Sequence, residues 1–345
     1  MSKTLKIFLA VLCISAVAAL VLGGTVYYHL FSPQFYPSKK DARIYIDPDD
    51  TIDSIYNKVR IAGNPNSLKG FRWLTGYKRY GNNIRTGCYR IKQGDNAYHL
   101  YQRLARGVQT PVSLTVRSVR TFDQLARSVG NQLMIDSAEI AHQLNDSTFV
   151  NSLGYTKETL YCFFIPNTYK VYWDISAGKF FDRMKKEHKR FWNKERLAKA
   201  KAIGLTPEQV CTVASIVDEE TNYAPEKPTV AGLYINRLHK GIALQADPTV
   251  KFALQDFGLR RIINAHLQVN SPYNTYKYRG LPPGPIRIPS IKAIDSVLNY
   301  EKHDYLYMCA KEDFSGSHNF SLTLAQHMAN ARKYWKALND RKIYK

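Results

Sequence analysis

Asp218, Glu219 and Glu220 form a run of three carboxylates. A carboxyl group works as a general acid near neutral pH only where its surroundings keep the proton on. Desolvation does this, because burial disfavours the charged form and raises the pKa. Protonation of a leaving oxygen is the chemistry such a group offers. The histidines and cysteines show neither HExxH nor CxxC spacing, so neither a metal site nor a disulfide scaffold is expected, and no cofactor.

A helix has to position the three acids. Thr206-Pro207-Glu208 reads as its start, with a Thr cap, Pro at the first helical position and an acid in the first turn, and it should run to about Thr221. Val210, Val213, Ala214 and Val217 then share one face. At about 100° per residue Glu220 falls at the edge of that stripe, while Glu219 points the opposite way and Asp218 to the side, both toward solvent. Glu220 is therefore the candidate acid. The competing reading is that all three acids end a helix and wet its surface. A helix C-terminus disfavours negative charge, so three acids gathered there ask for an explanation.

Downstream, residues 244–250 (LQADPTV), 271–276 (SPYNTY) and 280–286 (GLPPGPI) are too rich in Pro, Gly and polar residues to be regular elements. Their amides, hydroxyls and rings suit sugar binding. Asn236, Gln245, Tyr273, Asn274 and Tyr276 are candidates for substrate contact or for fixing loops. Asp247 is a candidate supporting acid, and equally a helix-start residue. His318 either contacts substrate, orients Glu220 or serves as a structural donor.

Seven blocks in order carry a family resemblance. LYCFFIPNTYKVYW (160–173), ASIVDEET (214–221), VAG through INRL (230–238), the three loop blocks just quoted and GSHNF (316–320) resemble the MltG/YceG-like murein transglycosylases. That resemblance implies cleavage of the β-1,4 bond between N-acetylmuramic acid and N-acetylglucosamine within nascent glycan strands. It also implies 1,6-anhydro product ends and a role in terminating glycan elongation. The family's catalytic glutamate falls on Glu220, and residues 43–118 correspond to its LysM-like subdomain. Asp218 and Glu219 replace a Glu and a Lys of the family pattern, and Asn167 replaces an Asp. One carboxyl suffices for this reaction because the sugar's own 6-hydroxyl, rather than a second carboxylate or an activated water, attacks the anomeric carbon. The alternatives are an inactive glycan-binding scaffold and a muramidase-type hydrolase.

The rest of the chain has to bring such a site to the cell wall. Residues 7–28 carry no formal charge and are long enough to span ~30 Å of hydrocarbon as a helix. Lys3 and Lys6 precede them, so the short tail (1–6) is expected inside and the rest outside the cytoplasmic membrane. A signal peptide cleaved near Gly23-Gly24-Thr25 competes with this reading. Val26, Tyr27, Tyr28, Leu30, Phe31, Phe35 and Tyr36 read as an interfacial belt and favour a retained anchor. The net charge of +21 calls for acidic partners, and a bilayer between the chain and the nucleoid excludes nucleic acid. Glycan strands and the cytoplasmic membrane remain, with peptidoglycan synthases as candidate protein partners.

The expected architecture is α+β. A transmembrane helix (7–28) and a connector (29–42) lead to a small α+β module (43–118) and a larger, mainly helical catalytic domain (119–345). The basic stretch from Lys179 to Lys201 reads as a solvated helix face that packs Phe180, Phe181, Met184, Phe191 and Trp192 inward.

Overall fold

The uncharged run lies inside one long helix, α1 (Lys3–Phe31), capped by the Ser2 hydroxyl. At 1.5 Å per residue it is about 44 Å long, and its apolar window is wholly exposed. This apolar helix fits a single-pass membrane anchor. The computed structural model describes residues 2–259 and 261–341. Met1, at the tip of the expected tail, and residues 342–345, at the end of the expected catalytic domain, lie outside the described residues.

Two compact units follow from the chain's packing. The first comprises Met1–Leu114, Gln132–Met134 and Lys170–Ile175. After α1 it holds β1 (Ala42–Ile46), α2 (Ile52–Gly63), α3 (Lys69–Tyr77), β2 (Gly87–Ile91) and α4 (Ala97–Ala105). β1 and β2 pair antiparallel, with Ile44 opposite Tyr89. Alternation buries Ile44, Ile46, Tyr89 and Ile91 on one face, against Ile55 and Val59 of α2 and Leu100 and Leu104 of α4. Thr51 and Asn96 cap α2 and α4. Leu30 and Phe35, expected in the interfacial belt, sit instead in this core. The chain turns back against the unit at the end of α1, so their apolar side chains find protein before they find lipid. Tyr27, Tyr28 and Phe31 remain exposed.

The second unit comprises Thr115–Asn131, Ile135–Tyr169 and Ser176–Lys345. Its helices are α5 (Phe122–Gly130), α6 (Ser137–Asn145), α7 (Ser147–Ser152), α8 (Ala177–Phe191), α9 (Lys194–Ala202), α10 (Pro207–Glu220), α11 (Lys227–His239), α12 (Asp247–Leu254), α13 (Ile291–Leu298) and α14 (Leu324–Asp340). β5 (Tyr307–Ala310) pairs with β6 (His318–Ser321) in this unit, while β3 (Val112–Val116) and its partner β4 (Asn167–Val171) each have residues in both units. The basic stretch becomes α8 and α9, and its five named apolar residues are buried.

α10 lies at the centre of this unit. Thr206 and Gln209 close a capping box, and the helix packs against α11, α12 and α13. Every residue from Val210 to Asp218 is buried, so burial surrounds the helix rather than following one stripe. The exposed setting expected for Asp218 and Glu219 is thereby corrected. Asp218 is 8% exposed, accepts from the Lys227 ammonium at 2.5 Å, and takes the Ser290 N–H at 2.6 Å and hydroxyl at 2.9 Å. Ser290 is the N-cap of α13, so this one carboxylate ties the ends of three helices together.

Removing one partner of a buried ion pair strands the other charge. Asp218→Ala should therefore destabilise the protein by about 3–5 kcal/mol, whereas Asp218→Leu combined with Lys227→Met should restore most of the loss. Urea unfolding in detergent, followed by circular dichroism, measures both. A double variant as unstable as Asp218→Ala would show that the hydrogen bonds to Ser290, not the ion pair, carry the effect.

Candidate active site

The end of α10 presents its three acids to three different surroundings. Asp218 goes inward to Lys227. Glu219 is gripped by two guanidiniums: Arg120 donates from Nε and Nη2, each at 2.7 Å, and Arg287 from Nη1 at 2.8 Å. Such bidentate, charge-assisted bonds fix orientation as well as charge. Glu220 receives a neutral donor, the Tyr234 hydroxyl, at 2.5 Å. It is half-buried and lines a cavity of about 270 Å³.

Its carboxyl is pushed up to about 7, first by desolvation and then by the charges of Asp247 and Glu219. The Tyr234 hydrogen bond and Lys251 act in the opposite direction. Burial wins because removing a carboxylate from water costs more than one neutral hydrogen bond returns. The group can therefore hold a proton near neutral pH and release it to a leaving atom.

The loop motifs divide into scaffold and wall. In the 280–286 block, a Cβ on Gly284 would lie 2.1 Å from the Glu158 carbonyl oxygen, so only glycine fits there. The Ile286 N–H donates to Ser215 on α10 at 3.0 Å. This docking delivers Arg287 to Glu219 and Ser290 to Asp218. In the 271–276 block, Asn274 is fully buried and its amide donates to the Leu267 and Val269 carbonyls, both at 2.9 Å. Thr275 bonds the Ala246 N–H at 3.0 Å and Thr249 at 2.8 Å. The result aims the Tyr276 hydroxyl at Asp247, 2.5 Å away.

Of the residues expected to bind substrate, Gln245, Asp247 and Tyr276 line the Glu220 cavity. Gln245 adopts φ 52° and accepts from Arg237 at 2.6 Å. Such a left-handed conformation persists in a non-glycine residue only where surrounding bonds over-determine it. Asn236, Tyr273, Asn274 and His318 are not among the residues of that wall. Asn236 donates to the carbonyls of His303 at 2.6 Å and Tyr305 at 3.2 Å, holding the approach to β5. The Tyr273 ring packs on Phe252, with centroids 4.7 Å apart. His318 pairs through Nδ1 with Glu226 at 2.6 Å and lines a second cavity, of about 580 Å³, with Tyr223, Tyr305 and Phe320.

Sequence reasoning missed Tyr234, Arg237, Tyr307 and His327, which also line the Glu220 cavity. Helical spacing on α11 places Tyr234 and Arg237 on adjacent turns, but nothing local says that this face meets α10. Arg237 gives its donors to the carbonyls of Ala243 and Leu306 and to Gln245, so it braces the cavity wall. Among the described residues, no group of three or more His, Cys, Asp or Glu side chains is placed to hold a metal ion.

A model of the "YceG-like family" matches residues 44–333. The chain is 27% identical to an endolytic murein transglycosylase of Bacillus subtilis, covering 93% of both chains. It is 26% identical to a protein of the same name from Streptococcus pneumoniae, over 85% of this chain but 59% of that longer one. A crystal structure of a yceG-like protein from Listeria monocytogenes matches with a TM-score of 0.58 and 27% identity, over 85% of this chain and 99% of that one. The chain belongs to the YceG-like family.

If the protonated form of Glu220 is the acid, kcat/KM should fall as pH rises through about 7. Tyr234→Phe removes a bond that lowers the pKa, so the midpoint should move up. Asp247→Asn removes a charge that raises it, so the midpoint should move down. Stability follows the same sign. The folded state holds this proton more tightly than the unfolded chain, so the stability present below the ordinary value of 4.5 is lost as pH rises to about 7. Glu220→Gln should abolish that decline, and pH-resolved unfolding together with pH–rate profiles checks both signs.

Proposed function

We propose that this chain is an endolytic murein transglycosylase that cleaves the bond between N-acetylmuramic acid and N-acetylglucosamine and leaves 1,6-anhydro ends. The observation that carries this reading is Glu220, half-buried beside the Tyr234 hydroxyl in a cavity of a YceG-like chain, with its carboxyl pushed up to about 7 by burial. Glu220 gives its proton to the glycosidic oxygen as the bond to the anomeric carbon breaks. The muramic 6-hydroxyl then closes onto that carbon, and the Glu220 carboxylate takes up the hydroxyl's proton, which restores the acid. Tyr234 holds the carboxyl in one orientation. The Asp247 carboxylate, exposed in the same cavity, favours the positive charge that develops on the sugar ring.

Gln245 and Tyr276 serve as sugar contacts, while Asn236, Tyr273 and Asn274 hold the loops that present them. His318, Tyr223 and Phe320 line the second cavity, whose rings and polar groups suit a neighbouring sugar. The β1–α2–α3–β2 order of the first unit supports its reading as a LysM-like subdomain. Lys3 and Lys6, in the first turns of α1 ahead of its uncharged run, favour an outward-facing catalytic unit, with glycan termination beside peptidoglycan synthases as its role.

Asp247 also favours a second reading, in which that carboxylate activates water and the products carry reducing muramic acid ends. Mass spectrometry of murein digested by the full-length enzyme separates the two, since an anhydro end is lighter by one water. The account expects anhydro ends from the wild type and none from Glu220→Gln, which keeps the shape but has no proton to give. Reducing ends from the wild type would establish the hydrolase, and full activity in Glu220→Gln would remove Glu220 from the chemistry.

A further inference from the structure

α3 has two unlike faces. Gly70, Phe71, Leu74 and Thr75 are buried, whereas Lys69, Arg72, Trp73 and Tyr77 are exposed at helical spacing. Trp73 is 55% and Tyr77 68% exposed, and their rings stack with centroids 5.4 Å apart. Large aromatic surface left in water is unfavourable unless something covers it. Between Asp53 and Asp95 the sequence holds no acidic residue but nine Lys and Arg, so whatever covers this face meets cations and aromatic rings together.

The end of α1 packs against α3. A Cβ on Gly70 would lie 2.0 Å from the His29 carbonyl oxygen, so glycine sets an unusually close approach of the two helices there. One turn further along α3, Trp73 shares a cleft of about 240 Å³ with Thr25 and Val26, one turn nearer the middle of α1. α3 thus descends along α1 toward its apolar span. Tyr27, Tyr28 and Phe31 of α1 are exposed at this same level.

We propose that α3 is a second, interfacial membrane contact. Trp73 and Tyr77 lie in the boundary between headgroups and acyl chains of the leaflet from which α1 emerges, and Lys69, Arg72 and Lys78 meet anionic headgroups. Trp and Tyr concentrate at this depth because their rings are apolar and their edges polar, and Lys and Arg extend their heads to the phosphate layer. Two contacts hold the first unit in one orientation on the bilayer, where α1 alone would let it swing. The proposal rests on α1 crossing the membrane.

The test uses the full-length chain in nanodiscs of phosphatidylcholine and phosphatidylglycerol with acyl chains brominated close to the headgroups, which quench tryptophan at that depth. The wild type should be quenched relative to unbrominated discs, and Trp73→Phe should lose most of that lipid-dependent quenching while still incorporating. Equal quenching of the two proteins would overturn the α3 contact and leave the α1 anchor standing. Failure to incorporate into discs would overturn both. If Trp73 emission instead answers only to added soluble glycan strands, the face is a sugar platform and the membrane contact is wrong.

Discussion

Three carboxylates at the C-terminal end of one buried helix form the constraint around which the second unit is arranged. Each adds negative charge where the helix already exposes carbonyl oxygens, at a cost of about 0.3–1 kcal/mol apiece even at a surface. The fold neutralises two of them. Lys227 reaches Asp218, and Arg120 with Arg287 reaches Glu219. The third is given a tyrosine hydroxyl, and its carboxyl is pushed up to about 7, so that it can hold a proton near neutral pH. Cations hold the first two carboxylates in place, and desolvation raises the pKa of the third.

That arrangement draws on distant parts of the chain. Arg120 precedes α5, Lys227 opens α11, and Arg287 and Ser290 follow the Pro-rich loop that docks on Ser215. Loop motifs that look like ligand-binding segments mostly serve this assembly: Gly284 and Asn274 are buried against backbone, and their neighbours Arg287 and Tyr276 do the reaching. In the Glu220 cavity the acid is flanked by one braced wall, where Arg237 holds Gln245 and the start of β5, and by the Tyr276–Asp247 pair.

The sequence made legible what depends on near neighbours. Thr206 caps the helix it announces, and α10 spans the range that its start signal and period suggest. The edge-of-stripe position expected for Glu220 agrees with its half-buried place in the cavity wall. The same one-face argument failed for Asp218, because α10 is enclosed on several sides and a single amphipathic stripe does not describe a central helix. Tyr234 escaped notice for a related reason: its role needs α11 laid against α10, a contact set by tertiary packing. Leu30 and Phe35 show the limit of composition at a membrane edge, where an apolar side chain can face lipid or protein and only the path of the chain decides.

The central claim is that burial among compensated neighbours keeps a proton on Glu220. A carbon-13 NMR titration of the glutamate carboxyls, with the Glu220 signal assigned by its disappearance in Glu220→Gln, reads that proton directly. A midpoint near 7 is the predicted result, against an ordinary 4.5. A midpoint at the ordinary value would contradict the account, because the carboxyl would then be ionised at neutral pH and the clamps on Asp218 and Glu219 would have no bearing on its chemistry.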